Sequence, residues 1–253
     1  MNQESMPYRH SLDLLMEESG FFVINKPSGL FTQASPGIES VETCLRAQLA
    51  RTAQLDSKPF IGLPHRLDRG TSGALLIARN ERVLKRFGEQ FQSRKIGKTY
   101  MALVEGIVEQ EKGEWIDYLR KVPDQPLAEI VSANADQARQ AILRFERIWC
   151  NQRMSLLRIT LETGRMHQIR IQAASRGHSI VGDADYGNTT LWDGIREMNW
   201  DKSFALHARQ IDFRHPKTAK MTTVHAPFPE VWNIHLPDLA NLLAEKERGS
   251  TIP

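Results

Sequence analysis

The chain has 253 residues, with 33 Lys and Arg against 30 Asp and Glu, which gives a formal net charge of +3. Hydrophobic residues make up 41% and charged residues 25%, so the composition excludes a wholly disordered chain, a collagen and a disulfide scaffold. Cys44 and Cys150 form no metal-binding or redox motif, and we expect two free thiols in a reducing compartment. Because no apolar run is long enough to cross a bilayer and the N-terminus lacks a signal-peptide core, we predict a cytoplasmic protein that does not enter a membrane.

In the first half of the chain, the apolar pattern predicts two strands and two helices. Residues 21–24 and 73–78 are short apolar runs typical of buried strands. Residues 40–51 have helical periodicity, and Ser40 is the expected N-cap. A second helix, with a strong apolar stripe, is expected to begin after Asn80 as its cap.

The second half gives fewer and weaker signals. Three strands are predicted, over residues 99–104, 141–148 and 154–161, and a helix over residues 166–175. The C-terminal part contains several prolines, and we predict irregular structure there that ends in a short polar helix. Because strands and helices mix without a regular strand–helix–strand alternation, the pattern favours an α+β fold.

The small net charge hides an uneven distribution. Residues 65–100 contain nine Lys and Arg against three acids, a balance of +6, and residues 104–136 contain eight acids against three bases, a balance of −5. Clustered cations suit a polyanion, because each neutralised phosphate releases condensed counterions. A solvated helix face is the alternative explanation for such a run of charge, so charge alone indicates a nucleic acid only weakly.

The segment most informative about chemistry is residues 64–73 (PHRLDRGTSG), which leads directly into a predicted strand. It places one carboxylate, that of Asp68, among three basic side chains. Neighbouring cations favour an ionised carboxylate, and such a group acts as a nucleophile or a base when it is held in position. The alternative is that Asp68 only organises a turn.

This segment resembles the signature of the RluA-type RNA pseudouridine synthases. Further segments resemble that family in the expected order, and together they cover roughly residues 20 to 230. They are residues 25–30 (NKPSGL), 98–106 (KTYMALVEG), 164–170 (GRMHQIR), 177–183 (GHSIVGD), 186–187 (YG), 206–209 (LHAR) and 215–216 (HP). Several ordered motifs are much more specific than any one of them.

The resemblance implies three catalytic residues. Asp68 would act at the sugar of the target uridine, and attack at C1′, attack at C6 and abstraction of a sugar proton all stay open. Tyr100 would stack on the detached uracil or assist proton transfer, where packing within a strand is the alternative. Arg170 would pair with Asp68 and keep it ionised, where a surface cation on a helix is the alternative.

The same resemblance suggests contacts with RNA, because an enzyme that acts on a base must extrude the nucleotide. His65 and Arg66 flank Asp68, and we expect them to fill the vacated position in the base stack or to bind phosphate. The set of predicted RNA-binding residues is His65, Arg66, Arg69, Arg165, Lys98 and Lys26.

No metal and no cofactor are expected, since Asp183 fits a structural turn better than a metal site. The third motif departs from the family pattern at Met166 and Gln172, which leaves the local contacts open.

The expectation is therefore an RNA pseudouridine synthase that acts on ribosomal or transfer RNA. The fold expected is α+β, with a mixed, largely antiparallel central sheet, flanking helices and loops, and two subdomains around a catalytic cleft. The expected organisation is a polar lead-in over residues 1–13, a catalytic domain over 14–236 and a tail over 237–253, with no N-terminal S4 domain. We expect a monomer with no obligate protein partner. The alternative is a non-catalytic RNA-binding or folding factor that retains the same pocket.

Overall fold

One ten-stranded sheet forms the framework of the protein. The computed structural model describes residues 11–53, 59–187 and 203–236. The strands are β1 (Asp13–Glu18), β2 (Phe21–Lys26), β3 (Ser72–Ala78), β4 (Gly97–Glu105), β5 (Lys112–Lys121), β6 (Ala128–Val131), β7 (Arg139–Cys150), β8 (Met154–Leu161), β9 (Leu206–Arg214) and β10 (Met221–His225). The helices are α1 (Val41–Ala53), α2 (Glu81–Gln92), α3 (Gln168–Ala174) and α4 (Glu230–His235).

The strand order is β1-β2-β3-β9-β4-β8-β7-β5-β6, and β10 pairs with β9. Every pairing is antiparallel except that of β3 with β9, where Ser72 lies opposite His207. The prediction of an α+β fold with a largely antiparallel sheet is confirmed. The two expected subdomains are two halves of one continuous sheet, joined where β9 lies between β3 and β4.

Strand β2 is buried on both faces, which explains its unbroken apolar run. Phe22 and Ile24 pack in the main core with Leu45 of α1. Phe21 points to the opposite face and meets Phe87 of α2 edge-to-face, with ring centroids 5.5 Å apart. Alternate residues of β2 thus join the sheet to a helix on each side.

The three predicted helices that lie within the described residues are confirmed, and side-chain caps explain where the first two begin. Ser40 Oγ accepts the amide of Thr43 at 3.3 Å, and Asn80 Oδ1 accepts the amide of Val83 at 2.9 Å. Helix α3 begins at Gln168, two residues later than predicted. His167 precedes it in the left-handed region, with φ of 51°, and this conformation ends the turn that leads into the helix.

The prediction of an irregular C-terminal part is wrong for β9, which is a central strand. Its apolar alternation is interrupted by His207, a fully buried polar residue. His207 Nδ1 lies 2.9 Å from Ser72 Oγ and its Nε2 lies 3.3 Å from the carbonyl oxygen of Ala226. Because these contacts satisfy both ring nitrogens, the strand tolerates a histidine inside the sheet.

Strand β5 was not predicted either, because a charged residue lies on its inward face. Asp117 lies between the buried Trp115 and Leu119. Its carboxylate accepts hydrogen bonds from Gln172 at 2.7 Å and from Arg176 at 2.9 Å. This contact also gives Gln172, one of the departures from the family pattern, a structural role.

Strands β1, β6 and β10 also lack a predicted counterpart, and each lies at or near an edge of the sheet. Asp13, the last residue of the predicted lead-in, opens β1, and residues 1–10 of the lead-in lie outside the described residues. The predicted tail over 237–253, with its polar helix, also lies outside them. In the described part of the chain, no helix is long and apolar enough to cross a membrane.

Candidate active site

Asp68 lies in the loop that precedes β3. Residues 26–32 form hydrogen bonds with this loop. Lys26 Nζ donates to the carbonyl oxygens of Thr71 at 2.8 Å, Pro27 at 2.9 Å and Arg69 at 3.1 Å. Burial lowers the pKa of Lys26 to about 7, although the charge of Asp68 opposes this shift. The Lys26 side chain is therefore an internal support for the Asp68 loop.

The backbone on each side of Asp68 is fastened separately. Thr32 Oγ1 donates to the carbonyl of Leu67 at 2.8 Å and accepts its amide at 3.1 Å. On the other side, the amide of Gly29 donates to the carbonyl of Arg69 at 2.9 Å, and Arg69 Nε donates to the carbonyl of Gly29 at 2.8 Å. Gly29 has a φ of 83°, which a residue with a side chain adopts only with strain. The position of Asp68 is thus fixed by its neighbours.

The loop also depends on a close crossing of β3 and β9. Gly73 has a φ of 109°, and a Cβ at this position would overlap the carbonyl oxygen of Ala208. Only glycine allows the two backbones to approach this closely. This contact fixes the beginning of β3 at Gly73, its second residue, five residues after Asp68.

The carboxylate of Asp68 faces one nitrogen donor on each oxygen. Arg170 Nη1 lies 3.8 Å from Oδ2, and His167 Nε2 lies 3.8 Å from Oδ1. These distances exceed a hydrogen bond, so the interactions are electrostatic. The Asp68 side chain keeps 21% of its surface exposed, which leaves the carboxylate open to a substrate.

Arg170 is itself held by two other carboxylates. Its Nε and Nη2 donate to Asp183 at 2.6 and 2.7 Å, and Nη2 also donates to Asp185 at 2.6 Å. Burial alone would lower the pKa of Arg170, but Asp183, Asp185 and Asp68 together raise it above its ordinary value. Asp183, expected only to shape a turn, is therefore also the main partner of Arg170.

Tyr100 reaches the same site from β4. It lines a cavity of about 960 Å³ together with Asp68 and Arg170, and we call this the Tyr100 cavity. Its ring is buried, and burial, followed by the charge of Asp68, raises its pKa, so the hydroxyl keeps its proton at neutral pH. The structure therefore brings the three predicted catalytic residues together from a loop, a strand and a helix.

A second cavity, of about 1190 Å³, opens on the other side of Asp68, and we call it the Phe31 cavity. Phe31 lies in its wall, and the guanidinium of Arg69 stands 4.6 Å from the centre of that ring. Asp68 and Arg170 line both cavities. The two cavities thus meet at the carboxylate.

Four cations line the Tyr100 cavity away from Asp68, and we call them the basic rim. They are Arg94, Lys95, Lys98 and Arg165. Burial lowers the pKa of Arg165, and the nearby charges of Arg94 and Arg139 lower it further. Burial likewise lowers the pKa of Lys98. Among the described residues, no carboxylate lies within ion-pair distance of any member of the rim.

The remaining predicted RNA-binding residues differ in exposure. Arg66 is exposed and lines both cavities, whereas Lys26 is fully buried. His65 Nε2 accepts the amide of Leu76 at 2.9 Å, and its ring lies 4.7 Å from that of Phe91. Burial, and then the charge of Lys98, lowers the pKa of His65 to about 3. Lys26 and His65 thus have hydrogen-bond partners within the protein, and their expected contacts with RNA stay a prediction.

The sequence reasoning assigned no role to several residues of the site. His167 and Tyr186 lie in the third resembling motif, whose order along the chain was the signal available for them. Arg94 and Lys95 belong to the basic segment that the charge count identified. Among the described residues, no group of three or more His, Cys, Asp or Glu is placed to hold a metal ion.

Comparison with known proteins identifies the class. Residues 20–175 match the family described as RNA pseudouridylate synthase. The tRNA pseudouridine synthase C of Haemophilus ducreyi is 34% identical over 235 residues, which cover 88% of this chain and 93% of that protein. The ribosomal large subunit pseudouridine synthase D of Xylella fastidiosa is 32% identical over 256 residues, covering 98% and 73%.

The fold agrees with this match. The structure of human RNA pseudouridylate synthase domain containing 4 superposes with a TM-score of 0.69 at 19% identity, covering 86% of this chain and 88% of that one. The chain belongs to the RNA pseudouridylate synthase family, so the RluA-type resemblance of its motifs is confirmed. It is an isomerase that converts uridine to pseudouridine in RNA.

Proposed function

We propose that this enzyme modifies one or more uridines of ribosomal or transfer RNA and that Asp68 is its catalytic group. The relatives that it resembles are named for both kinds of RNA. The single observation that carries the assignment of Asp68 is its carboxylate, fixed by its neighbours, partly exposed and placed where two cavities meet. An ionised carboxylate held in this way suits attack on, or proton abstraction from, a nucleotide in the Tyr100 cavity.

The isomerisation breaks the bond between N1 of uracil and C1′ of the ribose and forms a bond between C5 and C1′. The C5 hydrogen leaves as a proton and N1 gains one, so the reaction is balanced without a co-substrate. Asp68 acts at the ribose or at the base, Tyr100 offers a ring face to the detached uracil, and Arg170 holds a positive charge 3.8 Å from the carboxylate. No cofactor or metal is required in this scheme.

The basic rim is the proposed contact for the RNA backbone. Lys98 and Arg165 were expected to bind phosphate, and they lie beside Arg94 and Lys95 on the wall of the Tyr100 cavity. Cations without carboxylate partners among the described residues are free to neutralise phosphates. In this proposal the backbone of a bound RNA lies next to the cavity that would receive the extruded uridine.

Arg66 is proposed to fill the position that the extruded uridine vacates. It is the exposed cation of the 64–73 segment and stands at the junction of the two cavities. Arg69 is held by Gly29 and stacks on Phe31, so we propose that it supports the loop and lines the entrance for RNA. Replacement of Arg66 by Ala should weaken RNA binding and slow turnover, and unchanged affinity and turnover would refute this role.

We also propose that the enzyme works as a monomer in the cytoplasm. The proposed catalytic residues come from one chain, and Cys44 and Cys150 are free thiols, as a reducing compartment favours. Light scattering after gel filtration should give the mass of one chain, whereas a dimer mass at micromolar concentration would contradict this.

The proposed activity is tested by release of tritium from RNA labelled at C5 of uridine, using separate ribosomal and transfer RNA preparations from cells that lack the enzyme. Release from one preparation and not from the other identifies the substrate class. Binding without release from either would instead support the alternative of a non-catalytic RNA-binding factor.

A further inference from the structure

His167 and Tyr186 form a hydrogen-bonded pair behind Asp68 that the proposed mechanism does not use. His167 precedes α3 with a φ of 51°, and this left-handed backbone turns its ring toward Asp68. The His167 side chain is only 9% exposed, and its Nε2 lies 3.8 Å from Asp68 Oδ1. His, Asn and Asp are among the residues with side chains that enter this backbone region most readily.

The direction of each hydrogen bond follows from the groups at the two ends. The amide of Ala128 donates to the Tyr186 hydroxyl oxygen at 2.7 Å, which leaves the Tyr186 proton free for another acceptor. That acceptor is His167 Nδ1, at 2.9 Å. At the other end, the ionised Asp68 carboxylate only accepts, so the proton of a neutral His167 ring belongs on Nε2.

Burial favours the neutral form of His167. Burial lowers the pKa of His167, and the charge of Asp68 opposes that shift. The charged and titratable groups that face the ring are Asp68, Arg170, Asp183, Asp185 and Tyr186. A neutral ring with its proton on Nε2 satisfies the Tyr186 contact and faces the carboxylate with a donor.

We propose that His167 is a second positioning residue for Asp68, and that Tyr186 sets its tautomer and orientation. This inference rests on the proposed role of Asp68. Arg170 faces Oδ2 and His167 faces Oδ1, so each carboxylate oxygen has its own donor and rotation of the group is opposed from both sides. Because neither distance is that of a hydrogen bond, the carboxylate oxygens keep lone pairs for the substrate.

Two substitutions at His167 separate positioning from packing. In Asn, the amide oxygen is as many bonds from Cα as Nδ1, so His167→Asn keeps an acceptor for the Tyr186 hydroxyl and loses the donor for Asp68. In Gln, the amide nitrogen matches Nε2, so His167→Gln keeps the donor for Asp68. We expect His167→Asn to lower kcat by about tenfold or more, with KM changed far less, and His167→Gln to recover most of this loss.

The pH profile provides a readout that a purely structural role would not change. His167→Asn removes the donor that faces Oδ1, so the acidic limb of kcat/KM should move to higher pH in this variant. Tyr186→Phe should move the limb in the same direction. His225→Asn, on the exposed edge strand β10, is the matched control and should leave both kcat and the limb unchanged.

The inference is overturned if His167→Asn keeps the wild-type kcat and acidic limb, or if Asn and Gln lower kcat equally without moving the limb. Asp68→Asn, measured in the same assay, separates this failure from failure of the proposed function. An active Asp68→Asn enzyme would refute the assignment of Asp68 itself. An inactive one, beside an unaffected His167→Asn, would refute only the role of His167.

Discussion

Arg170 makes its two hydrogen bonds of 2.6 and 2.7 Å to Asp183, and it stands 3.8 Å from Asp68. Asp183 thus holds the guanidinium by hydrogen bonds, and the interaction of Arg170 with Asp68 is only electrostatic. An anchored guanidinium loses little conformational entropy when a substrate arrives, and it keeps a fixed charge beside Asp68. Asp183 therefore contributes to the site by holding Arg170.

Asp183→Asn should consequently impair both stability and turnover. The Asp183 side chain is 1% exposed, so its loss leaves a buried arginine with a weaker partner and should lower the free energy of unfolding by about 3 kcal/mol. We expect kcat to fall by about tenfold or more because Arg170 is no longer held in place. Urea denaturation and tritium release measure the two effects.

Asp185→Asn is the matched control for this change, because Asp185 also binds Arg170 but its side chain is 55% exposed. Its effect on unfolding should stay within about 1 kcal/mol. Equal effects of the two substitutions would contradict the view that Asp183 is the main anchor.

Lys26→Met tests the support of the Asp68 loop. Methionine fills a similar volume but leaves the carbonyls of Thr71, Pro27 and Arg69 without the donor that Lys26 supplies. At neutral pH we expect kcat to fall, and the free energy of unfolding to fall by about 1–3 kcal/mol. Lys217→Met, at an exposed position, should change neither, and an unaltered kcat in Lys26→Met would refute the supporting role.

The contribution of Lys26 to stability should also depend on pH. Its pKa is about 7 in the folded protein and 10.5 in its ordinary state, so between these values the unfolded chain binds more protons. The stability of the wild type relative to Lys26→Met should therefore rise with pH across this window, by up to about 1.4 kcal/mol per unit. Urea titrations of both proteins at pH 7 and pH 10 measure this difference in the free energy of unfolding. A difference that falls as the pH rises would contradict a buried lysine with a lowered pKa.

The basic rim should govern how RNA affinity depends on salt. Substitution of Lys98 and Arg165 together by Ala removes two of its four cations, so RNA binding should weaken and the slope of log K against log salt should decrease by about 1.5. Lys217→Ala is the control for a surface cation away from the cavity. An unchanged slope in the double variant would place the RNA backbone elsewhere.

Local patterns predicted the elements whose signals are local. The cap at Asn80 and the apolar run at 21–24 are examples, because a cap and an apolar run act over a few residues. Strand β9 was missed because His207 looks polar in sequence and becomes acceptable only through Ser72 and Ala226. Its partners lie 135 and 19 residues away, and no local pattern encodes them.

The site also has features that the sequence predicted and features that depend on distant contacts. The family resemblance located Asp68, Tyr100 and Arg170, and the structure brings them together around the Tyr100 cavity. The burial of Lys26 was not predictable, since lysine is common on surfaces. It depends on how residues 26–32 pack against the Asp68 segment.

The most direct test of the proposed mechanism is tritium release from C5-labelled substrate RNA by Asp68→Asn, measured with RNA affinity on the same preparation. Asn has nearly the same shape as Asp but carries no charge, so folding and binding should persist while the nucleophile or base is lost. We expect near-complete loss of release, with an affinity within about threefold of the wild type. Release at the wild-type rate would show that the chemistry does not pass through Asp68.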